Sequence, residues 1–477
     1  MTPATPRGIL AYGTYLPVHR LDRAAISAVA GKGGGQGTRT VASYDEDTTT
    51  MAVEAARGVL AGHDIASLWF ATTAPAYADK TNATAIHAAL GLAPEVAAFD
   101  VAGAVRSAMG ALRAGLHSAR PALVVAADLR TGLPGSADEA AGGDGAAAMV
   151  VGPGGTGDPG RDGGPVLAQA LGWGSATAEF LDRWRAPGEQ HAKVWEERFG
   201  EGRYVDLGQR AWDHALASAG LTPDQVDHVV IVGAHARATT TLARKLDLGA
   251  RLHPVGAELA AGVGFTGAAH PALVLAATLD EIGPGQVVVL VTLADGADAV
   301  VLRTGEALAS YCSPVPVLDQ VGAGAAVGYG RYLAWRGFLP VDPPRRPEPG
   351  RPSAAAAGRS TEWKFGFVGS EDDAGTVHLP PSPLDPRPRP MSGATGTIVT
   401  FTVDRMAYSP SPPVVFAVVD FEGGGRLPVE LTDVDPAAVH IGDRVEMTFR
   451  RLYTADGIHN YFWKARPIRS RVTGEGS

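Results

Sequence analysis

Residues Phe99–Gly115 read FDVAGAVRSAMGALRAG, an apolar run that passes through a tight turn of small residues into an Ala-rich stretch with helical periodicity. A strand, a sharp turn and a helix in that order place the turn at a helix N-terminus. There, free backbone N–H groups and the positive end of the dipole favour an attacking anion, and enzymes often hold a nucleophile at such a turn. Here the turn carries Gly103, Ala104 and Val105, none of which can attack. The architecture is that of a catalytic elbow and the chemistry is missing.

The same alternation extends outward on both sides. SLWFATT (Ser67–Thr73) precedes NATAIHAALGL (Asn82–Leu92), and ALVVAAD (Ala122–Asp128) and AAAMVVG (Ala146–Gly152) follow. Apolar β-rich runs alternating with helical ones predict a layered α/β domain. A Gly/Pro/Asp stretch, Gly152–Pro165, interrupts the pattern as a surface loop or seam. The alternation then returns: VDHVVIVGAH ends at His235, ATTTLARKL (Ala238–Leu246) reads as helix, Ala272–Gly283 is apolar with helical spacing, and QVVVLVTLADGADAVVLR (Gln286–Arg303) gives two strands around a turn. GGDGAAAMVVG in the first half matches the ADGADA turn in the second, which predicts an internal duplication.

Val341–Arg359, VDPPRRPEPGRPSAAAAGR, is Pro-rich and charged, the composition of a stiff linker. Beyond it lie short alternating runs, GTIVTFTV, PVVFAVVDFEGG, RLPVELT, DRVEMTFRRLY and NYFWKARP, separated by Gly, Pro and Asp turns. Their number and spacing predict a small closed barrel of the OB type. The expected division is residues 1–155 and 156–335 for the two α/β halves, 336–362 for the linker and 363–477 for the barrel region.

Composition narrows the function classes. The 477 residues are 45% hydrophobic and 19% charged, as in globular proteins, and length predicts more than one domain. Forty-one Lys+Arg against 50 Asp+Glu give a net charge of −9, with no basic stripe interleaved with aromatics, so no nucleic-acid partner is expected. The N-terminal residues lack the pattern of a secretory signal and no run approaches the roughly 18 apolar residues of a membrane span, so a cytoplasmic protein with no membrane partner is expected. The single cysteine, Cys312, excludes an intrachain disulfide and a Cys-based zinc site.

Along Gly8–Arg303 the chain resembles the 3-hydroxy-3-methylglutaryl-CoA synthase branch of the thiolase superfamily, kin of the initiating ketoacyl-ACP synthases. The stretches that carry the resemblance are GILAYGTYLPVHRLDR, DEDTTTMAVEAA, ATTAPAYADKTNATAIHAALGL, VVAADLRTGLPGSADEAAGGDGAAAMVVG and ADGADAVVLR. The resemblance implies a duplicated αβαβα core, a homodimer or pairing with a thiolase-like paralogue, and an acyl-CoA or acyl-ACP thioester as substrate, with no other cofactor. It also implies that the acyl-accepting Cys falls on Val105, the acid/base Glu on Ala74, the Asn of the last catalytic loop on Phe265 and the His on His235. One of four catalytic positions is kept.

A nucleophile shifted to Ser107 would lie two positions round the helix from Val105, turned roughly 200° away, and helix capping or packing is the ordinary role for such a Ser. His235 and, beside the same inferred cavity, His270 are the expected catalytic groups, able to polarise a thioester carbonyl and move a proton without a covalent intermediate. Val105, Ser107, Phe265, Tyr77 and Asp79 are the expected substrate-binding residues. The reading that follows is carbon–carbon bond making or breaking on a thioester without Cys acylation, against a non-catalytic thioester-binding scaffold.

The C-terminal part resembles the OB-fold domain found beside or fused to thiolases, which implies docking on the core to help form an acyl-thioester tunnel. The zinc ribbon that precedes the barrel in many relatives corresponds to FGFVGSEDDAGTVHLPPSPLDP (Phe365–Pro386), which holds no Cys, so no metal is expected. Arg450, Arg451 and Lys464 are candidates to meet CoA phosphates.

Overall fold

The computed structural model describes residues 5–155, 164–384 and 387–469. Most of the Gly152–Pro165 stretch, and with it the expected seam at 155/156, lies outside the described residues. The chain forms two compact units, one of residues 1–42, 55–83 and 94–329, the other of residues 43–54, 84–93 and 330–477.

The first unit is built on a nine-stranded sheet: β1 (Arg7–Tyr15), β2 (Ser67–Thr72), β3 (Ala97–Ala102), β4 (Ala122–Asp128), β5 (Gly145–Pro153), β6 (Ala168–Ala176), β7 (His228–Gly233), β8 (Val287–Leu293) and β9 (Ala297–Thr304). Their order across the sheet is β7-β8-β9-β6-β1-β5-β4-β2-β3. The first half runs β3-β2-β4-β5-β1 and the second repeats it as β7-β8-β9-β6 with one strand fewer. At the place of the missing strand, a single parallel bridge joins Val229 to Leu252.

Four helices frame the sheet: α1 (Ser107–His117), α2 (Glu197–Ala219), α3 (Ala236–Lys245) and α4 (His270–Glu281). The run VVVLVTL in β8 is apolar without interruption because both faces are covered. Val288 and Leu290 join a core with Met109, Leu112 and Leu116 of α1 and Leu273, Leu275 and Leu279 of α4. Val289, Val291 and Leu293 point the other way, against Tyr204, Leu207, Trp212 and Leu216 of α2. Helix α2 sits close on β6 because that strand offers Gly172 and Gly174. A Cβ at Gly174 would lie 2.1 Å from the Ala211 carbonyl oxygen.

The second unit contains a closed five-stranded barrel: β10 (Thr395–Asp404), β11 (Val414–Phe421), β12 (Arg426–Leu431), β13 (Arg444–Ala455) and β14 (Ile458–Pro467), ordered β10-β11-β12-β14-β13. Ile398, Ala417, Val419, Met447, Phe449, Trp463 and Ala465 are fully buried. The stretch expected to be a Cys-less ribbon forms a three-stranded antiparallel sheet of Val368–Glu371, Val377–His378 and Arg387–Pro390, with Asp385 and Pro386 outside the described residues. Among the described residues no group of three or more His, Cys, Asp or Glu side chains is placed to hold a metal ion, and no helix is long and apolar enough to cross a membrane.

The barrel incorporates the segment 43–54. Arg450, fully buried, lies 3.0 Å from Glu46, 2.9 Å from Asp433 and 3.8 Å from Asp45. Lys464, also fully buried, contacts Asp45 at 3.0 Å and pairs closely with Glu430. Arg466 pairs with Glu54 and Glu446, each at 2.8 Å. The expectation that Arg450 and Lys464 face CoA phosphates is therefore corrected: both cations are sealed inside the unit and matched by carboxylates. Arg451 is partly exposed and lies 3.6 Å from Asp47.

Candidate functional site

The elbow forms where the sequence places it. The N–H of Gly103, at φ +111°, donates to the Thr72 carbonyl at 3.1 Å and fixes the end of β3 against β2. Val105 is half-buried, and Ser107, also half-buried, is the first residue of α1, whose N-terminus has no side-chain cap. The neighbouring Arg106 ties this turn to the second half: its Nε contacts Asp298 at 2.7 Å and its Nη1 donates to the Asp295 carbonyl at 3.0 Å. Asp298 also accepts from Ser175 at 2.6 Å. The turn is thus anchored by charge to the β8–β9 turn, and Cys312, the one thiol of the chain, is exposed elsewhere.

Two expected positions, Phe265 and His270, pack together, and Arg130 links Phe265 to Thr73. Asp128, at the end of β4, accepts from the Thr72 hydroxyl (3.1 Å), the Thr73 N–H (2.8 Å) and hydroxyl (2.8 Å), and the Ala268 N–H (2.8 Å). These bonds hold the 3-10 turn Gly267–Ala269, which also packs on α1, and so set His270 at the start of α4. Gly267 has φ +55°, and a Cβ there would collide with the Asp128 carboxylate.

Nδ1 of His270 accepts the Thr266 N–H at 3.4 Å and lies 3.3 Å from the Thr266 hydroxyl, which assigns the ring proton to Nε2. Burial pushes the imidazole down to about 4, so it is neutral near pH 7. Phe265 packs on this ring at 4.9 Å, and the Arg130 guanidinium lies 6.0 Å from the Phe265 ring centre while donating to the Thr73 hydroxyl at 3.1 Å. The result is a neutral imidazole and a guanidinium that both pack on the Phe265 ring.

His235 stands in a different cluster. Its Nδ1 accepts the Ala238 N–H at 3.1 Å, capping α3, and its Nε2 faces the Glu197 carbonyl at 2.7 Å. Both ring nitrogens are engaged by backbone. The ring lies 6.0 Å from Tyr204, whose phenol is pushed well above its ordinary range by burial and by the carboxylates of Asp182 and Asp295. Among the described residues no contact joins His235 to His270. Tyr77 lines an open cleft of about 350 Å³ with Lys80, Asn82, Phe99 and Asp100 along the edge strand β3, and Asp79 is exposed. The void between α1 and α4, lined by Met109, Leu112, Met149 and Leu275, measures only about 20 Å³.

Sequence reasoning passed over Asp128 and Arg130. Their signal was the triplet DLR directly after the apolar strand ALVVAA, since a carboxylate at the end of a fully buried strand needs designated donors.

Comparison with known proteins agrees with the architecture. Residues 388–450 match the family described as ChsH2, C-terminal OB-fold domain. The chain is similar to the hydroxymethylglutaryl-CoA synthase of Aeropyrum pernix, 28% identical over 361 residues spanning 71% of this chain and 97% of that protein. The Thermococcus sibiricus synthase is 29% identical, spanning 71% of this chain and 98% of its own. Among solved structures, an HMG-CoA synthase complexed with CoA matches with a TM-score of 0.58 and 17% identity, covering 69% of this chain and 89% of that one. MvaS in complex with 3-hydroxy-3-methylglutaryl coenzyme A matches at 0.56 and 19%, covering 72% and 95%. The chain therefore has the HMG-CoA synthase-like fold of the thiolase superfamily, carrying a C-terminal OB-fold barrel.

Proposed function

We propose that this protein acts on an acyl thioester of CoA or acyl carrier protein and makes or breaks a carbon–carbon bond in it without acylating itself. The observation that carries the reading is His270: a neutral imidazole whose Nδ1 is occupied by Thr266 leaves Nε2–H as its donor, with the ring packed on Phe265. In the retro-aldol direction a 3-hydroxyacyl thioester splits into a carbonyl compound and a shorter acyl thioester, the hydroxyl proton ending on the α-carbon. The charge that builds on the thioester oxygen needs a preorganised donor and no nucleophile. His270 supplies that donor beside Phe265, the position on which the resemblance sets the family's Asn, and Val105 is then pocket wall. The named relatives support the thioester as substrate class, and solved structures of the same fold include a synthase in complex with acetyl donor-ACP. A cytoplasmic homodimer belongs to the same proposal, supported by the edge strand β3 with Phe99 47% exposed.

A second reading, a non-catalytic thioester-binding partner of an active paralogue, is favoured by the backbone engagement of both His235 nitrogens. Product analysis over a panel of acyl- and 3-hydroxyacyl-CoA thioesters, combined with intact-protein mass spectrometry, separates the two. Turnover without a covalent adduct, lowered about 10²–10³-fold in His270→Ala, supports catalysis. Binding without turnover rejects it in favour of the partner.

A further inference from the structure

The chain between β12 and β13 crosses one mouth of the barrel. Leu431 at the end of β12, Val445 near the start of β13 and Pro467 at the end of β14 line a cavity of about 690 Å³ there, together with Ile398, Val439 and Ile468. Ile398, Leu431, Val439 and Val445 are buried, so the wall of the cavity is apolar and continuous with the barrel core. A largely apolar cavity of this size at a barrel mouth is the form that small-molecule sites take.

One polar group in this wall is left over. Asp435 accepts the Ala437 N–H at 3.0 Å and Asp443 accepts the His440 N–H at 2.8 Å, so these two carboxylates fasten their own turns. Asp433, in left-handed backbone at φ +57°, turns Oδ2 to Arg450 at 2.9 Å and Arg469 at 3.4 Å. Its Oδ1 has no hydrogen-bond partner among the described residues, although the side chain is only 4% exposed. Burial opposes ionisation of this carboxyl, but the guanidiniums of Arg450, Arg469 and Arg466 outweigh burial and hold it below its ordinary range, so Oδ1 acts only as an acceptor. A buried acceptor without a donor is costly and rare in native proteins.

The charge around Oδ1 decides what kind of donor fits. The Asp433 charge is already met at Oδ2 by two guanidiniums, so a donor at Oδ1 needs no charge of its own, and an ammonium there would face Arg450 and Arg469. Phosphates are disfavoured as well: Asp433, Asp435 and Asp443 all line the cavity, and Arg444, the one cation among the lining residues, pairs with Glu422. We propose that this cavity binds a neutral, largely apolar small molecule that gives one N–H or O–H to Oδ1 of Asp433. The site lies wholly within the second unit and does not depend on the thioester chemistry proposed above.

Ligand-observed NMR titration of the full-length protein with phenylbutanamide, its N,N-dimethyl form and phenylbutylammonium tests this. The primary amide is expected to bind about 10–100-fold more tightly than the dimethyl amide, the range for a hydrogen bond to a charged group, and more tightly than the ammonium. Ala438, which lines the cavity at an exposed position, is the place to fill it from the rim. Ala438→Trp should weaken the primary amide about tenfold or more with the circular dichroism of the protein unchanged. In Asp433→Asn the side-chain oxygen stays on Arg450 and an NH2 group takes the place of Oδ1, so the preference for the primary amide should vanish. Equal binding of the two amides by the wild type, binding untouched by Ala438→Trp, or a preference for the ammonium overturns the proposal. Failure of all three probes to bind at millimolar concentration overturns it too, as does displacement of the primary amide by CoA, which would make the cavity part of a thioester site.

Discussion

Replacing Lys464 by Met removes a cation that the second unit has enclosed completely. Lys464 lies 3.0 Å from Asp45, pairs closely with Glu430 and sits 5.1 Å over the Tyr44 ring. Without it, Asp45 keeps Arg450 at 3.8 Å and the Ser43 and Thr432 hydroxyls, and Glu430 keeps the Tyr44 hydroxyl at 3.2 Å. Hydroxyls supply hydrogen bonds and no countercharge. Breaking a buried pair by removing one partner costs about 3–5 kcal/mol, which corresponds to opening roughly 10²- to 10³-fold more frequent or beyond. Hydrogen exchange of the amides of Ile458–Arg466, read by mass spectrometry, measures this locally without assuming that the whole chain unfolds in one step. Neutralising both partners in Lys464→Met/Asp45→Asn should recover about 2 kcal/mol relative to the sum of the single changes. Acceleration below about tenfold in Lys464→Met, or strict additivity in the double variant, would refute the claim that the two side chains form a desolvated pair.

Two further outcomes concern the imidazoles. The His270 pKa falls from 6.5 to about 4 on folding because of burial. Its contribution to stability is thus complete above the unfolded value and is lost as pH drops from about 6.5 to 4, by about 3 kcal/mol. Denaturation of wild type and His270→Gln across that range should show this slope only in the wild type. His235→Ala should destabilise the first unit by about 0.5–2 kcal/mol through loss of the α3 cap, whereas His235→Asn, itself a good N-cap residue, should restore most of it. Turnover retained in His235→Asn marks the ring as a cap, and turnover lost in both marks it as a reacting group.

The strands and helices of the core were legible because periodicity carries them: VVVLVTL and ALVVAAD are apolar on both faces and had to be interior strands. The elbow was legible for the same reason, as a turn of small residues between two such patterns. What lay outside the reach of one sequence was pairing across distance. Arg450 and Lys464 sit on alternating barrel strands that look amphipathic in isolation, and only closure with residues 43–54, some 400 positions away, shows that they point inward. The two histidines failed to meet for a related reason. Each follows a β-rich or turn segment in the sequence, but the α3 cap and the Glu197 carbonyl claim the two nitrogens of His235, and Thr266 only a single nitrogen of His270.

The missing strand of the second half has a consequence for assembly. A sheet with two equally open ends could add neighbours at both and grow without limit. Here β3 ends the sheet on one side as an unpaired ribbon, while on the other β7 is shielded at Val229 by the bridge to Leu252 and by the His253 N–H at 2.9 Å. With a single open end, the union of two copies proposed above, if made through β3, would use up the available edge and close on itself. The proposed pairing of two copies through β3 would therefore stop at two, because imperfect duplication leaves no second open edge to extend it.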